Sequence, residues 1–92
     1  MQIIEENGPT GGRYVANLDG AEAEMTFSRA SPQLIIINHT GVPDSPRGKG
    51  VGQALALHAV EAARAGGWKI IPLCPFSKAQ AQRHQEWRDV VS

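Results

Sequence analysis

Seven consecutive residues, Pro46-Arg47-Gly48-Lys49-Gly50-Val51-Gly52, combine two cations with glycine at every second position. Glycine permits backbone conformations that a Cβ resists, and it lets the chain approach a ligand closely. The run opens an alanine- and leucine-rich stretch, Val51 to Ala65, whose composition favours helix. A helix starting there leaves its first N–H groups without intrahelical partners, and its dipole adds partial positive charge. The chemistry on offer is a nest for phosphate or pyrophosphate. It is not a Walker A loop, which needs Gly-Lys-Ser/Thr, because Gly50 follows Lys49. The dinucleotide fingerprint fails on glycine spacing and on position, since it follows the first strand of a parallel unit.

The elements that must position this nest follow from hydrophobic pattern. Leu34 to Ile37 is apolar on both faces, which predicts a central strand covered on both sides. It ends in Asn38-His39-Thr40. Upstream, Ile3 to Glu6 and Arg13 to Leu18 read as strands, separated by a loop from Asn7 to Gly12. Asp19-Gly20 matches a two-residue hairpin turn. The returning strand, Glu22 to Ser28, alternates. Ala23, Met25 and Phe27 point one way, and Glu22, Glu24, Thr26 and Ser28 the other, so one face is expected to be wet. Ala30-Ser31-Pro32 breaks the chain.

After the helix, Gly66-Gly67 is a stop signal. Trp68 to Leu73 is a fifth strand. Strand–helix–strand at this spacing implies a right-handed crossover and a parallel pair. The expected fold is α+β, a mostly antiparallel mixed sheet in the order ββββαβα, with a last helix between Ser77 and His84. The tail from Glu86 to Val91 is ambiguous. Pro72 cannot donate to a ladder. It fits a parallel pair that splays apart near its C-terminal ends. The splay would leave unpaired backbone on the fourth strand and a cleft beside the nest, at the end where open α/β sheets bind ligands.

Composition narrows the class. A chain of 92 residues makes a single domain, 1–92, with a modest core. Hydrophobic content of 41% suits a globular fold rather than a disordered chain. Nine basic and nine acidic side chains cancel, which argues against general nucleic-acid or anionic-membrane binding. The single cysteine, Cys74, cannot form an internal disulfide, so nothing suggests an oxidising compartment. No apolar run approaches the roughly 20 residues of a membrane span. Met1 to Glu6 is neither a signal nor a transit sequence. A soluble, cytoplasmic monomer or weak homodimer without a metal site is expected.

The string Arg47-x-x-Gly50-x-Gly52 resembles the acyl-CoA pyrophosphate motif of the GNAT N-acetyltransferase superfamily. Val42 precedes Arg47 by that family's usual spacing, the motif opens the helix after the fourth strand, and the fifth strand ends in a proline. His39-Thr40, Pro72-Leu73-Cys74, Cys74-Pro75-Phe76, Arg83-His84 and Glu86-Trp87 look like its small, single-domain GNAT-like branch. The similarity runs from Arg13 to Val91. The resemblance implies acetyl-CoA as co-substrate and N-acetyltransfer to an unidentified amine, small-molecule or peptide. Two departures stand out. Larger members place two helices between their first two strands to wall the acceptor site, where this chain has only Asn7 to Gly12. Many carry a tyrosine as general acid after the fifth strand, whereas Tyr14 here is on the second. A non-catalytic acyl-CoA-binding or protein-interaction module is the alternative, and the short loop supports it.

The resemblance also implies roles for residues. Gly48, Gly50 and Gly52, with the N–H groups of Lys49 and Val51, would hold the pyrophosphate; the plain alternative is a tight turn. Arg47, Lys49 and Arg83 would add positive charge, or be ordinary solvated cations. Thr40 and Val42 would offer backbone groups to the pantetheine amides, or simply pack. Cys74 would lie near the thioester. There it is a candidate acetyl acceptor, a candidate acid for the departing CoA thiolate, or a small buried hydrophobe. His39, on the adjacent strand end, is a candidate base for the amine, or a strand-end histidine bonded to backbone.

Overall fold

A computed structural model of the chain describes residues 2–18, 21–42 and 50–91. The expected Asp19-Gly20 turn, and Arg47, Gly48 and Lys49 of the nest, lie outside the described residues. The chain opens with strands β1 (Ile3–Asn7), β2 (Gly11–Leu18), β3 (Ala21–Ser31), which alternates apolar and polar residues, and β4 (Leu34–Gly41), which starts as a continuous apolar run. Helix α1 (Val51–Gly66) leads to β5 (Lys69–Pro72), then to helix α2 (Pro75–Arg83) and a 3-10 turn at Gln85–Trp87. The strands lie in sequence order in one sheet. Neighbours are antiparallel up to β4, and β4 and β5 are parallel. This is the α+β order ββββαβα that the sequence predicts.

Two boundaries move. Gly11 and Gly12 pair with Ser28 and Phe27 as strand, so the predicted Asn7–Gly12 loop shrinks to Gly8-Pro9-Thr10. β3 runs through the predicted break at Ala30, with a register shift between Arg29 and Ser31.

The core lies on one face of the sheet. Ala23, Met25 and Phe27 are buried there, as their alternation predicts, beside Tyr14, Ala16, Ile35, Ile37 and Ile70. α1 lays Leu55, Ala56, Ala59, Val60 and Ala63 over them, one stripe at helical spacing. α2 packs on the same side, with Phe76 against α1. The other face carries no helix among the described residues. The expectation that β4 is covered on both sides therefore holds for one only: Ile35 and Ile37 are buried, and Leu34 and Ile36 half-buried.

The ambiguous tail completes this core. Trp87 and Val90 are buried, and Val91 bridges Ile70 in parallel. Outside, Arg64 grips both Asp89 carboxylate oxygens at 2.7 and 2.9 Å and donates to the Glu86 carbonyl at 2.8 Å. No helix among the described residues is long and apolar enough to cross a membrane.

Candidate active-site cleft

The β4–β5 ladder stops before β4 does. Its last pair is Ile37 with Pro72, and its last bond runs from the Leu73 N–H to the Ile37 carbonyl at 3.0 Å. β4 continues to Gly41, where among the described residues it has ladder partners on the β3 side only. Pro72 lies at the end of this parallel pair, as the sequence reading expects, and its missing donor is not what parts the strands. The Ile70 N–H donates to the Val90 carbonyl at 2.7 Å, away from β4. Pro72, two residues on, aims its missing donor at that same outer edge, where no ladder needs it. The strands part because the chain leaves the sheet at Cys74 to begin α2.

A β-bulge decides which side chains face this gap. Phe27 pairs with Ile37 but Thr26 pairs with His39, so Asn38 is the extra residue. Strict alternation from Ile35 and Ile37 would turn His39 into the core. The bulge reverses the parity. His39 stands opposite Thr26 on the bare face, and Thr40 stands opposite Met25 on the core face. The bulged Asn38 is tied down by its amide, which donates to Ser28 Oγ at 2.8 Å. The His39 ring has no hydrogen bond among the described residues, and its side chain is exposed.

Thr40, turned inward, meets Cys74. Its Oγ1 lies 3.4 Å from the sulfur. Cys74 is the N-cap of α2, with Pro75 in the first turn, and its thiol is 2.9 Å from Ser77 Oγ and 3.4 Å from the Ser77 N–H that donates to it. Burial pushes the thiol up, but the hydroxyls of Ser77 and Thr40 and the Ser77 N–H outweigh it, so it titrates below its ordinary value. A thiol at a helix N-terminus, circled by donors, is poised to ionise.

Among the described residues, the start of α1 is open in the way a phosphate nest requires. Gly50 is its N-cap at φ 82°, without a side-chain cap and with no acidic residue in the first turn. That φ belongs to glycine, and a Cβ there would meet nothing within 4 Å among the described residues. The neighbouring first-turn N–H groups have no partner within the helix. Gly52 is different. A Cβ on it would fall 2.4 Å from Phe76 Cζ, so its bareness seats an aromatic ring of α2. Val51 buries its side chain in the core and has only its N–H to offer.

Thr40, Val42, Gly50, Gly52 and Arg83 share one groove of ≈ 360 Å³, between the end of β4 and the two helices. Five of the residues singled out from sequence thus meet there. Cys74 adjoins through Thr40, and His39 lies on the opposite face of the sheet. Sequence reasoning missed Gln53, Phe76, Gln80 and Ser77. A signal for Ser77 was present: Pro75 is a natural first helical residue, which makes Cys74 the cap and Ser77 the third helical residue. Tyr14 is not part of the groove. Its ring packs 5.0 Å from those of Phe27 and His58, and burial, with Glu5 adding to it, pushes its phenol up to about 12.

The description of the GCN5-related N-acetyl-transferase family matches residues 13–90. The solution structure of a GCN5-like protein from Staphylococcus aureus is similar to this one with a TM-score of 0.72. It is 32% identical, over 97% of this chain and 87% of that one. No curated protein matches.

Proposed function

The chain belongs to the GCN5-related N-acetyltransferase family, and on that footing we propose that it transfers an acetyl group from acetyl-CoA to an amine. Membership supports acetyltransfer in general; the donor, the acceptor and the residue roles are the proposal. The observation that carries it is the groove, where the N-terminus of α1, the end of β4 beyond its β5 pairing and Arg83 converge beside a thiol that its surrounding donors hold below its ordinary value. The first-turn N–H groups of α1 would hold the pyrophosphate, approached on the open side of Gly50, with Arg83 pairing a phosphate. Arg47, Gly48 and Lys49 carry the same motif in sequence. The backbone of Thr40 and Val42 would bond the pantetheine amides in place of β5.

Cys74 acts next. As thiolate it would attack the thioester carbonyl carbon, forming an acetyl-cysteine and releasing the CoA thiolate; the amine would then take the acetyl group and restore the thiolate. In a direct transfer, the Cys74 thiol would instead give its proton to the departing CoA sulfur. His39 faces the bare side, so it would take the proton of an amine arriving from there. Proximity would supply much of the rate.

Thermal shifts with CoA, acetyl-CoA, NAD and ATP test the binding half, since a ligand of the native state alone must stabilise it. CoA and acetyl-CoA should raise Tm more than the others, and equal shifts would overturn the assignment. An amine panel tests the transfer half, with CoA release that depends on acceptor as the expected result. Tight binding without turnover would instead establish the acyl-CoA-binding module, a reading that the unwalled outer face favours.

A further inference from the structure

The hydrogen bonds between Cys74 and Ser77 can all be met in one arrangement only while the sulfur carries its proton. Ser77 Oγ is 3.0 Å from the Cys74 carbonyl, to which it donates, and 2.9 Å from the Cys74 sulfur. A serine hydroxyl has one proton. While the thiol is protonated, S–H donates to Ser77 Oγ and the hydroxyl donates to the carbonyl. Once the sulfur is an anion it has nothing to donate, and it needs donors. The hydroxyl can then swing to the sulfur without stranding the carbonyl, because that oxygen also accepts the Lys78 N–H at 3.0 Å. Both residues are more than nine-tenths buried, so water is a poor substitute for either bond.

We propose that Ser77 is a positioning residue whose hydroxyl is a two-position rotor, following the proton state of the Cys74 sulfur. It aims the thiol while protonated and stabilises the thiolate once formed, with the Ser77 N–H and the Thr40 hydroxyl as further donors at 3.4 Å each. The thiol's proton leaves to solvent, and Ser77 keeps its own in both states. The importance of the rotor for catalysis rests on Cys74 taking part in acetyltransfer, but its existence does not.

The thiolate's ultraviolet absorbance, titrated with Cys74→Ala as blank, reads ionisation without any acyl donor. A folded Ser77→Ala variant should ionise at higher pH than the parent, with roughly tenfold less thiolate at neutral pH, the worth of one bond to a charged group. Ser77→Thr, which keeps the hydroxyl, should move back toward the parent. In the unaltered protein the Cβ carbons of Cys74 and Ser77 should titrate with one midpoint by NMR, which keeps the test alive if Ser77→Ala fails to fold. An unmoved midpoint in folded Ser77→Ala, an equal rise in Ser77→Thr, or a Ser77 carbon indifferent to the titration would each overturn the rotor. Acetyltransfer that is absent in the parent while these midpoints behave as expected would count against the proposed function alone.

Discussion

On the helix-covered face the polar groups beside the cleft are few and dry, whereas on the bare face they are many and wet. Cys74 and Ser77 are 6% and 5% exposed, and every bond between them is made inside the protein. Across the sheet, Arg13 gathers Glu6 and Glu24 at 2.6 Å and Glu22 at 3.6 Å, with these side chains 34–55% exposed. The distances are alike and the energetics are not. Dry groups feel a low effective dielectric, so a lost donor costs its full desolvation penalty. Wet ion pairs are screened by water and salt. The hydrogen bonds from Arg13 to Glu24 and Glu6 hold its guanidinium well above the ordinary arginine value, yet that shift is no measure of stability in so exposed a group.

The largest effects should therefore come from the dry side. Cys74→Ala should cut acetyltransfer at least about a hundredfold while leaving the dissociation constant of CoA unchanged, since the substitution removes a reacting group and leaves the α1 nest alone. Unchanged turnover in the folded variant would sink both roles of Cys74 and leave direct attack assisted by His39.

The two glycines of the groove should respond in opposite senses. Gly52→Val drives a side chain into the Phe76 ring and should cost roughly 3 kcal/mol of stability, the upper range for overpacking. Gly50→Val meets no described residue within 4 Å of its Cβ and should cost about 1–2 kcal/mol for its φ. It should instead weaken CoA binding by about tenfold or more. Denaturant melts and CoA titrations on the folded variants decide it. A Gly50→Val that binds CoA like the parent would show that the nest lies elsewhere.

That contrast was not legible in the sequence, where Gly50 and Gly52 share one motif. Glycine spacing says where a Cβ is missing but not what occupies the space. The element order, the parallel crossover and the buried side of β3 were legible, because Ala23-Met25-Phe27 and the α1 stripe are periodic. The bulge at Asn38 was not. Asn38-His39-Thr40 carries no turn signal, and a one-residue insertion leaves composition intact while it reverses the facing of His39 and Thr40. Pro72 was noticed for the right reason, its lost donor, but its direction depends on Val90 and Val91, which lie far along the chain. The Trp87 segment is too short to show a period.

A smaller effect should appear as pH dependence. The folded thiol titrates below its unfolded value, so folding favours the thiolate. The stabilisation is fully present above the unfolded thiol value, about 8.5. It is lost as pH falls through the folded value. Urea midpoints of the parent and of Cys74→Ala should thus diverge in the parent's favour as pH rises through that window, then run level. A gap that stays constant or narrows with rising pH would mean that the surrounding donors do not favour the anion.

The smallest effect is expected on the bare face, from Arg13→Gln. The loss looks severe on paper, because one guanidinium serves three carboxylates. None of those carboxylates is buried, however, so water takes over the vacated bonds and no charge is stranded. What remains is mutual repulsion between Glu6, Glu22 and Glu24, acting over distances that salt screens. Tm should fall slightly at low ionic strength and return to the parent's value in high salt, with CoA binding unaffected. A salt-insensitive loss as large as that of Gly52→Val would show that the Arg13 cluster is held dry, and that the two faces differ less than their exposure indicates.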